Sequence, residues 1–422
     1  MSLKRWDMGI QKRSLKKHTY ILCSVYWVNT PKLVLRMRPK LFSVLLLFFG
    51  FASADYLKNP DFETPPTDLP AGSSLQLNLN NKIPGWSFEG TVLYVTASED
   101  ITLPDNGHAI QLGPDGKINQ TFFASDDEME YLLTFTLAAG GRNCSTYAGF
   151  VVSTPSSKGF FNFNQQYGKE PWQIYGHYLG FFSEKMPINL VIESQETQPS
   201  SDSDSDSDST CWPVIDSLLV TAVPTWDGDT SNFLFNGGFE FGAEFPSKSA
   251  EGILLNAAPN HDESSLREWT VIGTIRYIDS EHFFVPEGNA AIELVSGVSS
   301  GIERALRLKE GSTYILEFTL GDANDGCEGD FMVGVRAGSV EQRIMIQNKR
   351  TGSANDFSMT FDAGPDDTVI SFLSYSTTKT KDGIFCGPMV DNVVLRPLKS
   401  QRSGYKFTLM NLLFLAAIKV FF

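Results

Sequence analysis

The chain has 422 residues, 42% hydrophobic and 20% charged, which is ample apolar material for one or more sizeable cores. Its formal net charge is −15, and residues 1–54 hold ten Lys or Arg against a single Asp, so the remainder carries −24. That balance excludes ordinary nucleic-acid binding, which rests on basic contacts to phosphate, and favours electrostatic steering of a basic protein partner.

In chain order, Met37-Arg38-Pro39-Lys40 forms a basic start, residues 41–51 are apolar, and Ala52-Ser53-Ala54 offers a small-residue cleavage site. Together they predict a secretory signal peptide over 37–54, at the end of a leader spanning 1–54. Residues 1–36 carry no such logic; Met37 would serve as a start, and Cys23 in this segment is left unpaired. A cytosolic extension on a signal anchor is the alternative. At the other end, 398–422 is an apolar tail in which only Lys419 interrupts the run from Phe407 to Phe422, with small Ser403-Gly404 just upstream. It fits a glycosylphosphatidylinositol signal, although Tyr405 breaks the small-residue triplet and the spacer is short. A short tail anchor and an apolar helix with no membrane role are the other readings.

Between the ends the chain repeats itself. Asn59-Pro60-Asp61-Phe62-Glu63 matches Asn236-Gly237-Gly238-Phe239-Glu240, Trp86 matches Trp269, and Ala109-Ile110-Gln111-Leu112 matches Ala291-Ile292-Glu293-Leu294. Cys211-Trp212-Pro213-Val214-Ile215-Asp216 is answered by Cys386-Gly387-Pro388-Met389-Val390-Asp391. The landmarks keep their order and nearly constant spacing, which marks a tandem duplication. Short β-branched and aromatic runs at 91–95, 131–137, 188–192 and 217–220, separated by Gly, Pro, Asn and Asp, read as strands. The second copy repeats them at 274–278, 314–320, 331–335, 368–373 and 392–395. The prediction is an all-β chain of two tandem β-sandwiches over 55–223 and 232–397, joined by a polar linker at 224–231. The first copy carries a Ser-Asp run over 200–210, which reads as a solvated loop; weak calcium binding there lacks a shaping glycine.

Four cysteines follow the leader, and the duplication selects Cys144–Cys211 and Cys327–Cys386 from three possible connectivities, because only that pairing uses equivalent positions. Asn119-Gln120-Thr121 and Asn143-Cys144-Ser145 are glycosylation sequons, the second compromised by its disulfide cysteine. Catalytic signals are weak. Histidines hold no metal-ligand spacing, and no nucleophile elbow or phosphate loop occurs. His282 is the most site-like histidine, and Asp216 and Asp391 read as turn-capping carboxylates rather than acids. Trp172, Tyr175 and Tyr178 cluster beside His177. Sugar rings stack on such side chains, and an ordinary core strand has the same composition.

The paired Asn-x-x-Phe-Glu starts, Pro84-Gly85-Trp86, the stretch from Tyr277 to Gly288, Gly321-Asp322-Ala323-Asn324-Asp325-Gly326-Cys327 and Cys386 to Asp391 form a specific set. On these residues the chain resembles the plant cell-wall family called domain of unknown function 642, over roughly 55–397. The resemblance implies tandem galactose-binding-like jelly rolls, an apoplastic location, an association with wall polysaccharide and pectin methylesterase, and no established catalytic residue or cofactor. Trp212 in place of the family's glycine, the Ser-Asp run and the apolar tail depart from the pattern. The expected function is a non-enzymatic, secreted wall protein that binds polysaccharide (pectin, cellulose), pectin methylesterase or both. The alternatives are a glycan hydrolase or esterase using Asp216 or Asp391 with His282, and a structural surface protein held by a GPI anchor. Trp172, Tyr175, Tyr178 and His282 are the candidate ligand contacts.

Overall fold

Alternating burial builds this molecule strand by strand. The computed structural model describes residues 56–66, 74–98, 101–104, 107–141, 149–195, 212–224, 232–246, 250–259, 264–324 and 326–398. The leader, Asn143, the Cys144–Cys211 pair, the Ser-Asp run, nearly all of the linker and nearly all of the apolar tail lie outside the described residues.

In the first repeat the strands are β1 (Ser74–Gln76), β2 (Ser87–Glu89), β3 (Val92–Thr96), β4 (His108–Leu112), β5 (Lys117–Phe123), β6 (Met129–Ala138), β7 (Gly149–Ser153), β8 (Lys158–Asn162), β9 (Trp172–Phe182), β10 (Pro187–Ser194) and β11 (Val214–Pro224). The second repeat supplies β12 (Ile253–Asn256), β13 (Thr270–Ile272), β14 (Thr274–Asp279), β15 (Ala290–Glu293), β16 (Gly301–Leu306), β17 (Thr313–Asp322), β18 (Cys327–Glu328), β19 (Phe331–Ala337) and β20 (Val340–Ile346). It continues with β21 (Ser353–Asp362), β22 (Thr368–Ser374), β23 (Thr378–Thr380), β24 (Phe385–Cys386) and β25 (Pro388–Pro397).

Strand order repeats as faithfully as sequence. In the first copy β1-β3-β4-β11-β6-β9 packs over β2-β5-β10-β7-β8, and in the second β12-β14-β15-β25-β17-β21 packs over β13-β16-β22-β19-β20. The chain is thus all-β, two tandem β-sandwiches of like strand order. β5 alternates half-buried or exposed Lys117, Asn119 and Thr121 with buried Ile118, Gln120 and Phe122, as a strand with one solvated face must. Such burial of Ile118, Phe122, Phe150, Ile188, Leu190 and Ile192 against Tyr131, Leu133 and Phe135 fills the first core. Each fully buried Phe, Leu or Ile contributes about 1.5–3 kcal/mol of transfer free energy.

The two sandwiches do not hang separately from a linker. β9 at the edge of the first large sheet pairs in parallel with β12, with Leu254 opposite Tyr175 and Leu255 opposite Gly176, so the large sheets join into one of twelve strands. A methyl group on Gly176 would lie 2.6 Å from Leu255 Cδ2, so glycine is what lets the second repeat approach. The cores also exchange residues. Leu132, Ile174 and Val223 belong to the second cluster, while Leu254 and Val295 belong to the first. Pairing closes an edge that would otherwise stand open to aggregation.

The second repeat's disulfide, Cys327–Cys386, forms as the duplication predicted, with a Cα–Cα distance of 5.8 Å. It closes a separation of 59 residues and flanks the small β18-β23-β24 sheet. Reduction is expected to lower the unfolding free energy by about 4 kcal/mol on the chain-entropy model. Urea unfolding with and without reductant measures this, and a Cys327→Ser/Cys386→Ser variant should respond less to reductant.

Candidate functional site

In each repeat the opening motif folds into a small cage. Asn59 accepts the Thr64 amide at 2.8 Å and donates to the Thr64 carbonyl at 3.0 Å; Asn236 does the same with Phe241 at 3.0 and 2.8 Å. Phe62 and Phe239 sit fully buried at φ 55° and 57°, a strained backbone for a bulky residue. Their carbonyls accept the Tyr94 and Tyr277 hydroxyls at 2.8 and 2.6 Å, which holds the strained turn in place. The motif glutamates finish the cage: Glu63 accepts the His108 amide at 2.6 Å, and Glu240 accepts the Asn289 amide at 2.8 Å.

The last strand of each repeat docks on this cage. Asp216 and Asp391 accept the amide of the next residue at 2.6 Å, and those residues, Ser217 and Asn392, have φ 52° and 49°. The result is a β-bulge whose following amide, Leu218 or Val393, turns back to the carbonyl of Pro60 or Gly237 at 3.0 or 2.8 Å. Two motifs more than 150 residues apart therefore meet, twice. Burial pushes both aspartate carboxyls up to about 7, against the hydrogen bonds that favour their charge. Glu63 and Asp61 add to the rise at Asp216, and Glu240 and Glu287 at Asp391. These aspartates hold a bulge, as their turn-capping chemistry suggested.

The aromatic cluster on β9 divides by strand parity. Tyr175 is 2% exposed, stacks on Phe135 and has its hydroxyl 2.9 Å from both Asn162 O and Gln173 Oε1, either of which can accept its proton. Burial raises its phenol, and the ring is withdrawn from any ligand. His177 is buried beside it with Nε2 3.4 Å from Ser157 Oγ, and burial lowers its pKa to about 3, so it is neutral. Trp172 is half-buried against Val95, Ala109 and Val214 on the outer face of the large sheet. Tyr178 points the other way, half-buried against the second repeat's core. Asn119 and Thr121 share the outer face of β5, where both reach Asn189 Oδ1, at 3.3 and 3.2 Å.

His282 lies on the loop after β14. Its Nδ1 is 2.9 Å from Asp279 Oδ1, which also accepts the amides of Glu281 and His282. His282 thus pairs with Asp279, and neither Asp216 nor Asp391 faces it as an acid–base partner. It borders a cleft of about 570 Å³ with Glu240, Phe245 and Tyr277, the two rings stacked at 4.8 Å.

A second cleft, of about 420 Å³, opens between the repeats. Glu130 and Tyr178 come from β6 and β9 of the first copy; Arg267, Glu268, Trp269, Glu303 and Arg304 come from the second. Arg267 Nε lies 2.9 Å from Glu130 Oε2, with an alignment that makes no hydrogen bond. Burial raises the Glu130 carboxyl, and Arg267 opposes that rise. Arg304 forms an ion pair with Glu268. Sequence reasoning missed every member of this cleft except Tyr178, because charged residues dispersed over 130–304 carry no spacing signal. Among the described residues, no group of three or more His, Cys, Asp or Glu side chains is placed to hold a metal ion.

Comparison with known proteins bears on the whole chain. The model of the family described as "Protein of unknown function (DUF642)" matches residues 55–221 and 232–396. The Arabidopsis thaliana protein DUF642 L-galactono-1,4-lactone-responsive gene 2 is 30% identical over 371 residues, covering 84% of this chain and 96% of its own. Its counterpart, responsive gene 1, is 28% identical and covers 80% and 90%. Among solved structures, the tandem CBM22-1–CBM22-2 domain of Paenibacillus barcinonensis Xyn10C aligns over 75% of this chain and 94% of its own, at 11% identity and a TM-score of 0.26. So slight a superposition says nothing about ligand. Two family matches, one on each copy of the cage-and-bulge architecture, establish that this chain belongs to the DUF642 family.

Proposed function

We propose that this chain is a non-catalytic, secreted plant cell-wall protein that binds wall polysaccharide. The observation that carries this reading is the inter-repeat cleft, where an aromatic ring, Tyr178, stands beside the planar polar groups of Arg267, Arg304, Glu268 and Glu303. Sugar recognition asks for that combination: an apolar ring under the C–H face and planar donors and acceptors for hydroxyls. The signal-peptide pattern and the family resemblance support the wall location. Pectin methylesterase is the proposed protein partner, reached by steering a basic surface toward a chain of charge −24. Attachment to the membrane through a GPI anchor is the proposed fate of the tail.

The test is retention of the purified mature protein on insoluble cellulose and pectin, with and without added pectin methylesterase, at low and high salt. Polysaccharide retention should survive high salt, whereas capture of the enzyme should fall as charges are screened. Failure to retain the protein on any wall polysaccharide would refute the reading. Release of reducing sugar or methanol by the protein alone, lost in Asp391→Asn, would favour the enzymatic alternative.

A further inference from the structure

Resting on that reading, we infer that the inter-repeat cleft is the glycan site and that it takes a neutral sugar chain rather than a uronate chain. The charges of the cleft are matched in pairs. Glu130 faces Arg267 at 2.9 Å and Glu268 is ion-paired with Arg304, while Glu303 has no basic partner among the described residues. The surplus is therefore one carboxylate, in a chain whose mature part is already strongly acidic. A uronate entering here meets a surplus of like charge, an arrangement that disfavours it.

The hydrogen-bonding inventory suits hydroxyls. Arg267 is 4% exposed; its Nε lies 2.9 Å from Glu130 Oε2, and its Nη1 has no acceptor among the described residues. A buried donor without an acceptor is costly, and a cationic one more so. Arg267 lines the cleft with its guanidinium 4.8 Å over the Phe235 ring, and a sugar oxygen that reaches Nη1 supplies the missing acceptor. Its charge, already met by Glu130, needs no second anion. Glu303 accepts from a hydroxyl, and Tyr178 offers an aromatic face to the ring's C–H groups. The cleft is made by both repeats, which explains why the second sandwich is docked on β9 rather than tethered. A volume of about 420 Å³ lies within the range of small-ligand sites.

The experiment titrates the mature protein at pH 7 with cellohexaose, xylohexaose and hexagalacturonate, alongside Glu303→Lys and Tyr178→Ala variants whose melting curves show that they fold. A neutral hexaose should bind and hexagalacturonate should not. Tyr178→Ala should weaken neutral-sugar binding about tenfold. Glu303→Lys should weaken it comparably and gain binding to hexagalacturonate. Preference of the wild type for hexagalacturonate, or neutral-sugar affinity unchanged in both variants, overturns this inference while leaving polysaccharide binding intact. No binding to any of the three sugars, with no retention on insoluble polysaccharide, overturns the proposed function as well.

Discussion

Arg276→Met is expected to cost about 3–5 kcal/mol of unfolding free energy, the loss typical of breaking a buried ion pair from one side. Arg276 Nη1 donates to Glu293 Oε2 at 2.7 Å, and Nη2 donates to Tyr167 O at 2.7 Å and Phe385 O at 3.4 Å. Glu293 is fully buried, and its other oxygen accepts the Gly387 amide at 2.8 Å. One guanidinium therefore ties the first repeat, the disulfide segment and β15 together. In the first copy the same register places Leu93 opposite Gln111, so the charged pair is an addition of the second repeat at its junction face. The double variant Arg276→Leu/Glu293→Gln, which restores the first repeat's pair, should recover part of the loss because no buried charge is left alone. Chemical denaturation of both variants measures the cycle, and equal destabilisation of single and double variants would refute the account.

Stability is expected to fall as pH rises from about 4 to about 7, because of the twin bulge aspartates. Both carboxyls have folded-state pKa values of about 7, against an unfolded value near 3.8. Between those values the folded chain keeps protons that the unfolded chain has released, so raising the pH favours unfolding. The penalty is absent below the unfolded value and complete above the folded one, at about 4 kcal/mol for each carboxyl. At Asp216 the Ser217 amide favours the charge while Glu63 and Asp61 oppose it; at Asp391 the Asn392 and Glu287 amides favour it while the Glu240 and Glu287 carboxylates oppose it. An Asp216→Asn/Asp391→Asn variant keeps an acceptor for each bulge amide and loses the ionisation. Its melting temperature should exceed the wild type's at pH 7.5 and approach it at pH 5. Parallel pH profiles for the two proteins would rule out this assignment.

Much of the fold was legible because it rests on short-range chemistry. Alternation of polar and apolar residues marked the strands, and the paired landmarks counted the sandwiches. Equivalent positions paired Cys327 with Cys386, which the structure bears out. The bulge role of Asp216 and Asp391 followed from the habit of aspartate to bond its own backbone. The fate of the β9 aromatics was not legible. Tyr175 and Tyr178 have the same local composition, and a shift of strand parity decides which enters the core.

By itself, then, the sequence determined a duplicated all-β chain strongly acidic after residue 54, several of its strands, one observed disulfide and membership of its family. Only the tertiary structure decided that β9 and β12 join the repeats into one sheet, that Arg276 and Glu293 lock that junction, and that Tyr178 meets Arg267 and Glu303 in a shared cleft. The reason is physical. Periodicity and motif chemistry act between neighbours in the chain, whereas backbone pairing at a sheet edge is nearly blind to side-chain identity. A cleft between two domains exists only once that pairing has chosen its partner.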